Sequence, residues 1–241
     1  MAEKKEFTVT ENNDIIYKAK GFWDKNSKPL IYIGAAIILL IAGWYGYKNL
    51  IQLPNEKKAA ELIFPAEAIF DKMGSAKFTK DSVNTVLNGG DDQGTKVTGM
   101  LKIIKEYGGT KAGNRAKYMA GASYLHIGEF DKAIKYLKDF DGEGASQIKS
   151  KAYTMIGHAY AEQNKTDDAL SYYKKAVRVN EKDEAITPDA LMLAASYAEV
   201  LGKNKEAIDL YEELKNKYPS HIAVKSGDVS KYLAKLGVFK D

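Results

Sequence analysis

Three stretches of the chain restate one another. YMAGASYLHIGEFDKAIKYL from Tyr118 is echoed by TMIGHAYAEQNKTDDALSYY from Thr154 and by MLAASYAEVLGKNKEAIDLY from Met192. Ala133, Ala169 and Ala207 mark one position in all three, at intervals of 36 and 38 residues. A period of this size means stacked helix pairs, each too small to bury its own apolar face and each covered by the next. Gly121, Gly157 and Ala195 leave room where the two helices of a pair cross, and Leu137, Tyr173 and Tyr211 supply the bulk four residues after each marker alanine. Tyr124 and Tyr160 follow the small residue by one turn and plug the next gap; Ala198 stands there in the third unit. Gly128, Asn164 and Gly202 close the first helices, because Gly and Asn tolerate the left-handed backbone of a C-cap. The surplus over a strict period falls in DGEGASQ and EKDEAITP, both rich in loop formers.

This pattern resembles the tetratricopeptide repeat, and Pro219 after YEELKNKY occupies that repeat's proline position. Upstream, residues 56–110 read as a degenerate unit. EKKAAELIFPAEAIFDKM places Ala60, Ile63, Phe64, Ala68, Ile69 and Phe70 on an apolar stripe, TGMLKIIKEY makes a second helix, and SVNTVLNGGDDQGTK is expected as a loop with a short helix. Pro54 and Pro65 are places where the path of the chain can kink. Downstream, VKSGDVSKYLAKLGVF carries Val229, Tyr232, Leu233 and Leu236 at helical spacing, as a capping helix requires.

Between Lys28 and Lys48 lie 19 residues without a charge, PLIYIGAAIILLIAGWYGY. As a helix, Leu30 to Tyr47 would be about 27 Å long, close to a hydrocarbon core of about 30 Å. Trp23 and Tyr32 flank one end and Trp44, Tyr45 and Tyr47 the other, the placement of interfacial aromatics. A buried core helix would need an equally apolar partner. A cleaved signal peptide would be shorter, would start earlier and would end in a small-residue site, so an uncleaved anchor is expected. Residues 14–28 hold Lys18, Lys20, Lys25 and Lys28 against Lys48, Lys57 and Lys58 in 48–62, a bias toward a cytoplasmic N-terminus. In the tail, Ile15, Ile16, Ala19, Phe22 and Trp23 are spaced for a short amphipathic helix, with a disordered tail as the alternative.

The expected fold is thus all-α: a single N-terminal transmembrane helix followed by a tetratricopeptide superhelix of about four helix pairs. The divisions are a tail (1–28), an anchor (29–53), a degenerate first unit and loop (54–112), three repeat units (113–219) and a capping helix (220–241).

Little in the chain points to chemistry. No Cys is present, which removes disulfides and thiolate metal sites. His126, His158 and His221 have no partner at ligand spacing, GGDDQGTK lacks the order of a phosphate loop, and Leu125 stands where a nucleophile elbow around Ser123 would need Gly. No catalytic residue, metal or cofactor is assigned. An envelope hydrolase working through a paired-carboxylate site is the alternative from another class. The charge is 36 Lys and Arg against 32 Asp and Glu, a near balance that gives no electrostatic case for nucleic acid.

Such an array offers a surface, its concave side lined by first helices. Counted from the crossing residues, the inward positions are Arg115, Tyr118, Ala122, Leu125 and His126; Thr154, His158 and Glu162; and Met192, Ser196 and Glu199. Their mixture of aromatic, apolar and singly charged groups suits an extended or helical protein segment.

A charged tail, one anchor and a four-unit repeat domain together resemble the bacterial ancillary SecYEG translocon subunit family. AAELIFPAEAIF, LNGGDDQGTK and YGGTKAGNRAKYMAGASYLHIGEFDKAIKYL are similar to the versions seen in Bacteroidota. The resemblance implies a non-enzymatic scaffold of the bacterial inner (cytoplasmic) membrane, single-pass, with its N-terminus cytoplasmic and its repeats periplasmic. It implies as partners the SecYEG translocon, a membrane-anchored chaperone of the peptidyl-prolyl isomerase type and exported client proteins. A scaffold of another envelope machine, for cell division or outer-membrane assembly, is the alternative.

Overall fold

The computed structural model describes residues 9–75 and 78–239, so the start of the tail, the end of the capping segment and the side chain of Ile15 lie outside the described residues. The chain divides into two compact units, Met1–Pro54 and Asn55–Asp241.

The first unit is helix α1, Val9–Tyr47, followed by a π-helical turn, Lys48–Gln52. From Val9 the tail is helical and runs without a break into the apolar stretch. The division at residue 28 is therefore one of composition, not of backbone. Pro29 lies inside the helix, where its ring removes one backbone hydrogen bond without ending the element. Leu39 and Leu40 are 72% and 73% exposed. The helix is long and apolar enough to cross a membrane.

From Asn55 on, the second unit comprises α2 (Leu53–Ser75), α3 (Lys80–Asn88), β1 (Gly89–Asp92), β2 (Thr95–Thr98) and α4 (Met100–Tyr107). Three helix pairs follow: α5 (Lys111–His126) with α6 (Phe130–Asp139), α7 (Ser146–Glu162) with α8 (Thr166–Arg178), and α9 (Thr187–Val200) with α10 (Asn204–Lys217). Two short helices, α11 (Ile222–Lys225) and α12 (Asp228–Lys235), complete it. Each pair packs internally and against the next, and α12 packs on α10.

The crossing points behave as the repeat pattern requires. A Cβ on Gly121 would stand 2.5 Å from Leu137 Cγ, and one on Gly157 would run into the ring of Tyr173. Ala195 and Tyr211 are both fully buried at the third crossing. Gly128, Asn164 and Gly202 have φ of 79°, 58° and 70°, the left-handed backbone expected at the ends of the first helices. Behind the crossings, Ala169, Leu170, Tyr173, Leu191, Tyr211 and Leu214 form the centre of one core shared by α8, α9 and α10. Val229 and Leu233 of α12 join it, so the capping segment closes the apolar end of the stack. It does so as two pieces, because Gly227 at φ 79° turns the backbone ahead of α12.

Two expectations upstream are corrected, the hairpin and the face of α2. The segment around GGDDQGTK holds an antiparallel hairpin pairing Gly89 with Thr98 and Asp92 with Thr95, so the fold is mostly helical rather than wholly α. Gln93 and Gly94, at φ 52° and 83°, form its two-residue turn, and Asp91 Oδ1 accepts from Gly94 N–H at 2.8 Å. The short helix expected in SVNTVLN is α3, which buries Val83, Val86 and Leu87. The apolar stripe of α2 is rotated: Ala59, Ile63, Ala66 and Met73 are buried, whereas Ala60 is exposed and Phe64 is 70% exposed. Ala59, Ile63 and Ala66 are spaced four and three apart and form the row that shares a core with Ile103, Ala112 and Ala116 of α4 and α5.

Candidate interaction surface

The first helices α5, α7 and α9 carry every predicted inward residue, and the structure sorts them into three groups. Tyr118, Thr154 and His158 line one cleft of about 340 Å³, together with Lys151, Met155, Asp189 and Leu193. Arg115 and Tyr118 line a second, of about 440 Å³, walled by α2, α5 and the α6–α7 connection. Tyr118 belongs to both, so the two open on either side of a single phenol.

Most of the other positions are used by the fold. Ala122 is 4% exposed, and Leu125 packs between the cores on either side of α5. Met192 packs on the α8–α10 core. The Ser196 hydroxyl donates to the carbonyl of Leu193 at 3.0 Å. Glu199 accepts from Tyr211 Oη at 3.1 Å and from Lys235 Nζ at 2.6 Å, so α12 has taken the carboxylate that the last repeat would otherwise present. His126 is exposed and stacks on Phe78, ring centroids 3.6 Å apart, outside both clefts. Glu162 is exposed and lines neither cleft.

Within the first cleft, His158 Nδ1 lies 2.9 Å from the hydroxyl of Tyr173. Burial holds the His158 imidazole below its ordinary value, against a smaller opposing pull from Glu162. Burial, with Tyr197 and Glu162 nearby, pushes the Tyr173 phenol up to about 12. At neutral pH both groups are uncharged, and the phenol and imidazole form a neutral hydrogen-bonded pair behind the cleft. Lys151 and Asp189 give it one charge of each sign, and Asp189 Oδ1 also lies 3.0 Å from His221 Nε2.

Lys151 and Asp189 were not among the expected inward residues, although the repeat encodes them. They lie 36 and then 38 residues after Arg115, at its position in the next two units. The walls from α2, Phe70 and Asp71, have no counterpart in the repeat period and carry no such signal.

The two clefts offer apolar, hydrogen-bonding and singly charged side chains, and among the described residues no three His, Asp or Glu side chains are grouped to hold a metal ion. Comparison with known proteins agrees with the repeat reading. Residues 154–222 match the tetratricopeptide repeat family model. A TPR repeat-containing protein of Methanocaldococcus jannaschii is 28% identical over 94 residues, a stretch covering 38% of this chain and 29% of that protein. The chain therefore carries a tetratricopeptide repeat domain, an architecture of stacked helix pairs that presents surface to protein partners.

Proposed function

We propose that the chain is a non-enzymatic, membrane-anchored scaffold that holds protein partners in the concave face of its repeats, as an ancillary subunit of the Sec translocon. The observation that carries this reading is the presence in one chain of a helix with a membrane-length apolar stretch, within Val9–Tyr47, and a repeat array whose first helices leave two clefts open around Tyr118. The anchor would restrict those clefts to the membrane surface, and the local concentration would make weak side-chain contacts useful. The small residues Gly34, Ala35, Ala42, Gly43 and Gly46 allow another membrane helix to approach closely.

In this reading the N-terminus is cytoplasmic in the inner membrane, the repeats are periplasmic, and the partners are SecYEG, a membrane-anchored peptidyl-prolyl isomerase-type chaperone and newly exported chains. The lysine bias around the apolar run and the resemblance of AAELIFPAEAIF and the first full repeat support it.

Affinity purification of the full chain from membranes in mild detergent tests the proposal. Recovery of translocon subunits or of such a chaperone is expected. Recovery of cell-division or outer-membrane assembly proteins in their place would overturn the Sec assignment and leave a scaffold of another envelope machine.

A further inference from the structure

The larger cleft differs from its neighbour in charge and in how firmly it is built. Its walls are tied together. The side-chain amide of Asn114 on α5 donates to the backbone carbonyl of Asp141 at 2.6 Å, and Asp141 N–H donates back to Asn114 Oδ1 at 2.8 Å. This two-way link pins the α6–α7 connection to α5, so the space does not depend on a ligand to hold it open. Its lining is apolar at the centre: Phe70, Met119, Ile148, and Tyr118 against Phe140 with ring centroids 5.4 Å apart.

The charges at the edge are unevenly matched. Arg115 is committed to Glu67, Nε to Oε1 at 2.7 Å. Among the described residues, Asp71 and Glu143 have no cation within ion-pair distance, and Asp141 Oδ1 accepts only the N–H of Glu143, at 3.0 Å. Among the described residues lining the cleft, Lys111 is the one cation outside the Arg115 pair; the stem of Lys149 lies against Gly142, between Asp141 and Glu143, without lining the cleft. Among the described lining residues outside the Arg115–Glu67 pair, carboxylates therefore outnumber cations three to one, Asp71, Asp141 and Glu143 against Lys111, around an apolar hollow of about 440 Å³, a size within the range of ligand pockets.

We propose that this cleft captures a segment of a partner polypeptide in which a bulky apolar side chain is flanked by Lys or Arg. The apolar group fills the space beside Phe70 and Met119, and its basic neighbours meet Asp71, Asp141 and Glu143. Segments flanked by Asp or Glu are turned away by the same carboxylates. The inference rests on the protein-binding reading above and adds the chemistry of the partner.

The test uses the full chain in detergent micelles and three fluorescent peptides of equal length, with cores Lys-Phe-Leu-Lys, Glu-Phe-Leu-Glu and Lys-Ser-Ser-Lys, read by anisotropy. The first is expected to bind about five- to tenfold more tightly than either of the others, with the advantage over the acidic peptide shrinking as salt is raised. Asp71→Lys with Glu143→Lys, both at exposed positions, is expected to erase or reverse the preference between basic and acidic peptides while leaving the helical circular dichroism unchanged. Equal binding of all three peptides, a preference untouched by the double substitution, or a change in self-association with no change in peptide binding would each overturn the inference. The same variant purified from membranes separates the two levels. If both chains recover the same partners and the unsubstituted chain shows no peptide preference, this inference fails alone; if neither chain recovers a partner, the scaffold reading fails with it.

Discussion

Lys217 Nζ stands 3.0 Å from a carboxylate oxygen of Glu181, a residue 36 positions earlier in the chain. The same offset recurs between Lys203 and Asp167 at 2.5 Å, between Lys235 and Glu199 at 2.6 Å and between Gln147 and Asp183 at 2.9 Å. These links form a polar ladder that stitches the second unit to the third and the third to α12, alongside the buried crossings. Its densest point is Arg178, whose Nη1 and Nη2 reach the two Glu213 oxygens at 2.5 and 2.7 Å. The Arg178 hydrogen bonds, with those of Lys217, hold the Glu213 carboxyl below the usual carboxylate range.

Replacement of Glu213 by Gln is expected to lower stability by about 1 kcal/mol, the upper end for a pair near the surface, and by less in high salt. Because the folded carboxyl titrates below its unfolded value, its contribution is complete above about pH 4.3 and fades as the pH falls through the folded value. The gap in Tm between the two proteins should be constant from neutral pH down to that point and close below it.

At the second crossing, Gly157→Ala places a methyl group against the buried ring of Tyr173. A cost of about 1–3 kcal/mol is expected from overpacking. At the third crossing Ala195 already faces Tyr211, so Ala195→Gly should cost only the helix propensity difference of about 1 kcal/mol. Urea unfolding followed by circular dichroism compares the two; equal costs would show that the crossings are not close-packed.

The left-handed backbone at Asn164 and Gly202 gives a paired prediction. Gly202→Ala puts a side chain at φ 70° and should cost about 1 kcal/mol, whereas Asn164→Gly at φ 58° should change stability by no more than a few tenths. Thermal melts of both variants check the contrast.

His158 is buried enough to titrate below its ordinary value. With a folded value under the unfolded one, protonation favours the unfolded chain, so this residue's contribution is complete above about pH 6.5 and is lost progressively as the pH falls. A two-dimensional NMR titration of the imidazoles should place the His158 midpoint below about 6.5, and His158→Gln should flatten the loss of stability between neutral and mildly acid pH.

The crossings were legible because both partners of each lie within one unit: Gly121 with Leu137, Gly157 with Tyr173 and Ala195 with Tyr211 share one spacing. The face of α2 was not, since Ala60 and Phe64 form as good an apolar row as Ala59 and Ile63, and only the surface offered by Ile103 and Ala112 decides between them. Gly89, Gly90, Asp91 and Asp92 are poor strand formers, and their pairing with β2 follows from the turn at Gln93 and Gly94. The groove was half readable. Tyr118, Thr154 and His158 follow from the period, while Glu199 was lost to Lys235 of α12, which stands outside the repeats.

The central claim, that partners dock on the concave face around Tyr118, is tested most directly by a photo-crosslinking amino acid placed at that position in the full chain in living cells. The account predicts covalent adducts with exported chains, a chaperone or translocon subunits from position 118, and far fewer from the exposed Asp209 on second helix α10. Adducts from position 209 with none from position 118 would contradict it.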